Sequence, residues 1–240
     1  MPTYKIRLTR REQVAEGTAA FVFEKPEGFQ FKAGQFLRLT LIDPPETDAE
    51  GDSRTFSIAS APHESDLMIA TRMRDTAFKR VIKAMQLGSE LEVKGPFGRM
   101  TLHDDPARPA VFLTGGIGIT PFRSIALEAA HAGLAHQLLL FYSNRRPEDA
   151  AFLDELAGLE RTNPNYRFIA TMTSAAGSKR PWTGETGYIN AEMLSRFIDD
   201  LKAPVYYVAG PEGLVGAIRK TLGDAGVTEQ DILAEEFSGY

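Results

Sequence analysis

Two short stretches of this chain carry residues whose types and spacing suit ligand chemistry. In the first, the apolar run Ala110-Val111-Phe112-Leu113-Thr114 ends in Gly115-Gly116-Ile117-Gly118-Ile119-Thr120-Pro121. The run suits a buried strand, and Pro121 suits the first turn of a helix that continues over 122–132. The glycines let the backbone turn sharply and let a ligand approach the main chain closely. The helix that follows offers free N–H groups and a positive dipole end to a phosphate. The spacing is Gly-Gly-x-Gly-x-x-Pro, not the Gly-x-Gly-x-x-Gly dinucleotide fingerprint, and no acidic residue follows at the distance that would hold a ribose. Such a turn also serves simply to pack a helix tightly on a sheet, so alone it leaves both readings open.

The second stretch is Arg54-Thr55-Phe56-Ser57. Strand alternation places Arg54 and Phe56 on one face and Thr55 and Ser57 on the other. A twisted or bulged strand could still bring all of them to one ligand. Arg54 would then clamp a pyrophosphate, Phe56 would lie against a flat ring, and Ser57 would donate to a ring nitrogen. The plainer alternative is a barrel strand with a surface arginine and a core phenylalanine.

Other chemistries are excluded by what the chain lacks. Its 240 residues contain no cysteine, which removes disulfides, thiolate nucleophiles, cysteine-ligated zinc and a self-contained iron–sulfur cluster. The four histidines, at 63, 103, 131 and 136, show no metal-ligand spacing, so no metal site is expected. A formal charge of −5 argues against nucleic acid. The charge is uneven: residues 1–103 carry a net +1 and the remainder a net −6. No apolar run approaches the ~18 residues of a membrane span, and the first residues lack the apolar core of a signal peptide. A cytoplasmic protein without membrane contact is the expectation.

The elements that must position these motifs change character along the chain. Residues 1–103 read as short strands at 5–14, 19–24, 36–42, 55–59, 67–71 and 90–93. One helix interrupts them, over 76–85, with Thr76 as N-cap and Gly88 beyond its end. Several antiparallel strands and one helix point to a small barrel. After Gly95-Pro96-Phe97-Gly98, strands at 110–113, 137–142, 166–172 and 205–209 alternate with helices at 121–132, 147–160, 190–200 and 212–225. That alternation is the signature of a parallel sheet covered by helices. Two domains follow, 1–103 and 104–240. The acidic loop 43–53 between two barrel strands is expected to be mobile.

Taken in order, Arg54-Thr55-Phe56-Ser57, Gly95-Pro96-Phe97-Gly98, the glycine turn and Tyr206-Tyr207-Val208-Ala209-Gly210-Pro211 resemble the ferredoxin–NADP reductase superfamily. The resemblance runs from Phe31-Lys32-Ala33-Gly34-Gln35-Phe36 to Glu235-Glu236-Phe237. It implies an FAD-binding antiparallel β-barrel followed by a Rossmann-like, nicotinamide-binding α/β domain. By this resemblance Arg54 meets the FAD pyrophosphate, Phe56 the isoalloxazine and Ser57 its reactive N5, with Phe56 and Ser57 serving the chemistry. The strand Met68-Ile69-Ala70-Thr71 matches the one whose backbone edges the ribityl chain. A family Gly-x-x-Ser at the start of the barrel helix is replaced here by Asp75-Thr76-Ala77-Phe78. Thr76 and the N–H groups of Ala77 and Phe78 take its place at the pyrophosphate.

In the second half Thr114, Gly115, Gly116, Gly118, Ile119 and Thr120 match the loop that approaches the nicotinamide nucleotide, and Gly210 and Pro211 match a second loop beside it. Ala209 stands where many family members carry cysteine. Phe237 or Tyr240, near the C-terminus, could cover the second face of the flavin. Ser143 and Arg145 after one strand, and Ser174, Lys179 and Arg180 in a later loop, are the groups that could read a 2′-phosphate, which favours NADPH slightly over NADH. The implied activity is hydride transfer from NAD(P)H to flavin N5, then electron delivery to a separate acceptor. That acceptor would be a ferredoxin, a flavodoxin, an oxygenase component or a haem protein. The cations Arg72, Arg74, Lys79, Arg80 and Lys83 could steer an acidic carrier protein. The alternatives are direct reduction of small quinones, flavins or ferric chelates, and a flavin-binding module without turnover.

Overall fold

A computed structural model describes residues 2–237. The first half forms six antiparallel strands: β1 (Thr3–Ala15), β2 (Thr18–Glu24), β3 (Phe36–Leu41), β4 (Ser53–Ser57), β5 (Asp66–Arg72) and β6 (Glu90–Phe97). Period-two alternation decides which way each faces. In β3, Leu37, Leu39 and Leu41 point inward while Arg38 is exposed; Leu91 and Val93 of β6 and Phe21 and Phe23 of β2 join them. Helix α1 (Ala77–Ala84) closes one end of the barrel with Phe78, Val81 and Ile82, and the Thr76 side chain accepts the Lys79 N–H at its start.

The strand order is β4-β3-β6-β1-β2-β5, so β4 and β5 are the free edges. They come together only just beyond β4, where Ala59 N–H donates to Met68 O at 2.8 Å and Met68 N–H donates to Ser60 Oγ at 2.9 Å. From that stitch toward Arg54 and Arg72 the seam carries no ladder, and a cleft opens between the two edges.

The second half is a parallel sheet of β7 (Ala110–Gly115), β8 (Leu138–Asn144), β9 (Tyr166–Met172), β10 (Glu185–Thr186), β11 (Val205–Gly210) and β12 (Ile232–Glu236), in the order β10-β9-β8-β7-β11-β12. Phe112 and Tyr207 pack with α2 (Ile119–His131) on one face. Val111, Leu113 and Val208 pack on the other against Ile218 and Leu222 of a later helix, residues 212–224. Strand order reverses between β7 and β11, and that switch point is where parallel sheets open a ligand crevice.

Several expected boundaries shift. The strand expected at 55–59 lies at 53–57, because its register is set by pairing with β3, Thr40 opposite Ser53 and Phe36 opposite Ser57. The helix expected over 147–160 breaks at Phe152, whose φ is 59°, leaving α3 (Leu153–Gly158) between short 3-10 turns. The one expected over 190–200 shortens to α4 (Ala191–Ser195), capped by Asn190, and 212–225 becomes α5 (Glu212–Asp224). The short β10 and the edge strand β12 were not expected.

The two sheets meet along α2. Arg123 Nη1 donates to Ala59 O at 2.7 Å, and Ser124 Oγ donates to Ser60 O at 2.7 Å. Arg123 also bridges Glu64 of the barrel half and Glu155 of α3. Beside this clamp Ala20, Val22, Ala59, Met68 and Ala70 form an apolar cluster that Ile117 and Phe152 cover from the other half.

Candidate functional site

The open barrel seam and the switch point of the parallel sheet face one cavity of about 570 Å³. Its walls include Arg54, Thr55, Phe56 and Ser57 of β4, Ala70, Thr71 and Arg72 at the free edge of β5, and Thr76 and Lys79 at the start of α1. Ile117 and Thr120 come from the glycine turn, and Glu235, Glu236 and Phe237 from the end of β12. All four consecutive residues of the β4 motif therefore line one space, which strict alternation would not allow.

Ser57 is 8% exposed, and its hydroxyl makes no hydrogen bond to the described residues. Phe56 leans on Phe78, ring centroids 5.8 Å apart, and the Arg54 guanidinium lies over the same Phe78 ring at 5.3 Å. Phe78 is thus buried support for the wall, not part of it. Ala77 is also buried, and its N–H helps to hold the Asp48 carboxyl below its usual value. Of the β5 quartet, Ala70 and Thr71 reach the cavity. Ile69 points into the barrel core and Met68 into the apolar cluster between the two halves, as period two requires.

The glycine turn is built for contact with its neighbours as much as with a ligand. Gly116 has φ 56°, a conformation glycine adopts freely, and its carbonyl accepts from Tyr142 Oη at 3.0 Å. Gly118 is helical, but a Cβ there would stand 2.4 Å from Ala209 O and 2.7 Å from Thr114 Oγ1. Thr114 is fully buried and spends its hydroxyl on Ala209 O, 2.7 Å away, tying β7 to β11. Gly115, Gly118 and Ile119 are buried behind the wall that Ile117 and Thr120 present, and Gly116 is half-buried beside it. Gly210 follows at the end of β11, its carbonyl accepting the Phe237 N–H at 2.9 Å, and Pro211 starts α5. That bond returns the end of the described chain to the cavity, with Phe237 on the wall. Tyr240 lies outside the described residues.

Ser143, Arg145 and Ser174 gather away from this wall, at the C-terminal ends of β8 and β9. Ser174 N–H donates to Arg145 O at 2.8 Å; Ser143 is buried, while Arg145 and Ser174 are exposed. Two cations of that region are committed elsewhere: Arg146 to Asp149, Glu148 and Glu16, and Arg180 to Asp154.

The five cations expected to steer a carrier do not form one docking face. Arg80 is closed by Glu46 and Asp75, both at 2.5 Å. Arg72, Arg74 and Lys79 line the cavity instead. Burial, with the charges of Arg74 and Arg54, pushes the Lys79 ammonium below its usual value, the mark of cations converging on one point. Sequence reasoning missed Lys79 as a wall residue. Its position three residues after the N-cap Thr76, on the first turn facing the motif strand, is the signal that could have found it. Burial likewise pushes the Glu235 carboxyl up.

These features fit a flavin dinucleotide. Four cations and a helix start suit a pyrophosphate, the supported aromatic Phe56 suits a flat ring, and the Ser57 hydroxyl has no hydrogen-bond partner among the described residues. A carboxylate, that of Asp48, already sits where an anion would, paired with Arg54 at 2.7 Å. A barrel seam fitted to a flavin dinucleotide, facing the switch point of a parallel sheet, is the architecture of a flavin- and nucleotide-binding protein.

The comparisons with known proteins agree. Residues 5–102 match the model of the oxidoreductase FAD-binding domain, and residues 112–220 that of the oxidoreductase NAD-binding domain. The chain belongs to the ferredoxin–NADP reductase superfamily, with an FAD-binding and an NAD-binding oxidoreductase domain in sequence. It is 29% identical to ferredoxin–NADP reductase B of Sorangium cellulosum, over 98% of this chain and 97% of that protein. Reductase component 2 of terephthalate 1,2-dioxygenase from Comamonas sp is 27% identical over 87% of this chain, which spans 60% of that relative's length. A ferredoxin NADP+ reductase from Neisseria gonorrhoeae, solved with bound FAD and NADP, superposes with a TM-score of 0.79 at 23% identity, covering 98% of each chain. Among the described residues no helix is long and apolar enough to cross a membrane.

Proposed function

We propose that this protein takes electrons from NAD(P)H and passes them to a separate protein acceptor in the cytoplasm, an oxygenase component or an electron carrier of the ferredoxin or flavodoxin type. The observation that carries the reading is the sharing of one cavity by the β4 motif, the start of α1, the glycine turn and Phe237. Bound FAD supplies the conversion between the paired electrons of a nicotinamide and the single electrons most carriers accept.

The chain's own residues bind and orient. Arg54, Lys79 and the N–H groups at the start of α1 hold the pyrophosphate, and the Ala70–Thr71 edge of β5 borders the ribityl chain. Phe56 lies along the ring with Ser57 at its reactive edge. Phe237 covers the other face and moves aside for the nicotinamide, which Gly116, Thr120, Gly210 and Pro211 receive. Arg145 and Ser174 contact the far phosphate of the nucleotide and favour NADPH. Residues 1–103 thus serve the flavin and 104–240 the nicotinamide.

The protein acceptor is tested by anaerobic turnover of the FAD-loaded chain with NADPH. One-electron carrier proteins of the ferredoxin and flavodoxin types are compared with free quinone, free flavin and a ferric chelate. Carrier reduction at a higher kcat/KM than any small acceptor is expected. The reverse ranking would establish the small-molecule reductase instead.

A further inference from the structure

The acidic loop between β3 and β4 does not trail into solvent. It turns back on the motif arginine and occupies every nitrogen of its guanidinium. Arg54 Nη2 bonds Asp48 Oδ1 at 2.7 Å, and Nε bonds Glu50 Oε2 at 2.9 Å. Nη1 donates to the carbonyls of Glu50, Gly51 and Ser53 at 3.1, 3.0 and 2.8 Å. The backbone N–H of Ala77, the first residue of α1, adds a weaker pull on the same carboxylate. One carboxylate therefore pairs with an arginine and faces a helix start, the two features that would hold a phosphate group. Burial opposes its charge, yet Arg54 and the N–H groups of Glu50 and Ala77 outweigh that and hold Asp48 below the ordinary carboxylate value.

We infer that Asp48 is an affinity-setting residue of the cofactor site: a tethered anion that competes with the pyrophosphate of FAD for Arg54 and the start of α1. The inference rests on the flavin reading above. Binding FAD requires the loop to release Arg54, so part of the gross attraction between cofactor and cations is spent on displacing Asp48, with Glu50 as the secondary competitor. Lys79, Arg72 and Arg74 have no carboxylate in contact among the described residues, and they are the cavity cations open to incoming phosphates. The loop anchors on α1 at a second point, through Glu46 and Arg80. That pair keeps the loop near the site after Asp48 lets go, and returns the carboxylate when the cofactor leaves.

The test is an FAD titration of the full chain freed of flavin, read by quenching of flavin fluorescence, in wild type, Asp48→Asn, Glu50→Gln and Glu46→Gln. Asparagine keeps an acceptor for the Glu50 N–H, 3.0 Å from Asp48 Oδ1, so the turn is retained while the charge is lost. D48N is expected to bind FAD about tenfold more tightly, as befits removal of a charge-assisted competitor. E50Q should gain less, and E46Q, equally acidic but paired with Arg80, should change affinity less than about twofold. Unchanged or weaker binding by D48N overturns the inference. So does an equal gain in D48N and E46Q, which would reduce the effect to the general charge of the loop. Uptake of FAD by D48N but not by wild type supports it in the strongest form. If wild type and D48N both fail to bind, the flavin reading itself falls and this inference with it.

Discussion

Replacing Arg123 with methionine would remove a side chain of α2 that joins the barrel half to α3. Arg123 is 4% exposed and donates to Glu155 at 2.6 and 2.8 Å, to Glu64 at 2.9 and 3.3 Å and to Ala59 O at 2.7 Å. Breaking a fully buried ion pair from one side costs about 3–5 kcal/mol. Here the stranded carboxylates are partly hydrated, Glu64 at 29% and Glu155 at 39% exposure, so the lower part of that range applies. Methionine fills much of the aliphatic volume, and about 3 kcal/mol remains once the lost bond to Ala59 O is included. For a chain of this size that is a fall of roughly 6–12 °C in the unfolding midpoint, measured by circular dichroism on the FAD-loaded protein. Arg123→Lys, a point charge that cannot serve both carboxylates and the carbonyl together, should fall in between. Because α2 carries both Arg123 and the end of the glycine loop, Ile119 and Thr120, R123M should also raise the nucleotide KM while leaving FAD affinity nearly unchanged. A midpoint within about 2 °C of wild type would refute the clamp.

Four further outcomes follow from the same geometry. Glu64 is held below the usual 4.5, Arg123 outweighing the burial that would raise it. A depressed carboxylate lends stability above its unfolded value that is lost as pH falls through its folded one. Below pH 4.5, therefore, wild type should lose stability more steeply than R123M, as followed by midpoint against pH. Gly118→Ala places a methyl 2.4 Å from Ala209 O, and the overpacking should cost about 1–3 kcal/mol in denaturant titrations and weaken nucleotide binding. Ser57→Ala should leave FAD bound but slow flavin reduction at least about tenfold in anaerobic stopped flow, because a hydroxyl without a partner among the described residues is removed from the reacting edge. Arg145→Ala should lower kcat/KM for NADPH about tenfold or more while sparing NADH; equal losses for the two would remove Arg145 from cofactor selection.

Much of the fold was legible because its signals are local. Leu37, Leu39 and Leu41 alternate with polar neighbours, and the unbroken apolar run 110–113 announces a strand buried on both faces. Thr76 ahead of a helix with Phe78, Val81 and Ile82 on one side named its own cap. What stayed hidden depends on distant partners. The positive φ of Phe152 sets its ring 5.1 Å from the Arg123 guanidinium, a contact between residues almost thirty positions apart. Edge strand β12, Ile-Leu-Ala-Glu-Glu, has too little apolar pattern to declare itself, and only pairing with β11 makes it a strand.

The site divided in the same way. The motif at 54–57 and the glycine turn were readable from residue types, although the turn's Thr114 and Gly118 proved to be committed to Ala209. The loop 43–53 read as acidic and mobile, because nothing local reveals that Asp48 reaches both Arg54 and the helix start. Lys79 and Arg80 looked alike in sequence. Ion pairs with Glu46 and Asp75 neutralise one, while burial beside Arg54 and Arg74 turns the other toward the cavity.

The central claim is that one cavity seats a flavin and admits a nicotinamide. It is tested most directly by loading the purified chain with FAD and titrating it anaerobically with NADPH and with NADH while recording the flavin absorbance. Stoichiometric bleaching by at least one nucleotide, with NADPH effective at the lower concentration, is the expected result. A chain that takes up neither FAD nor FMN, or one whose bound flavin neither nucleotide bleaches, would contradict it.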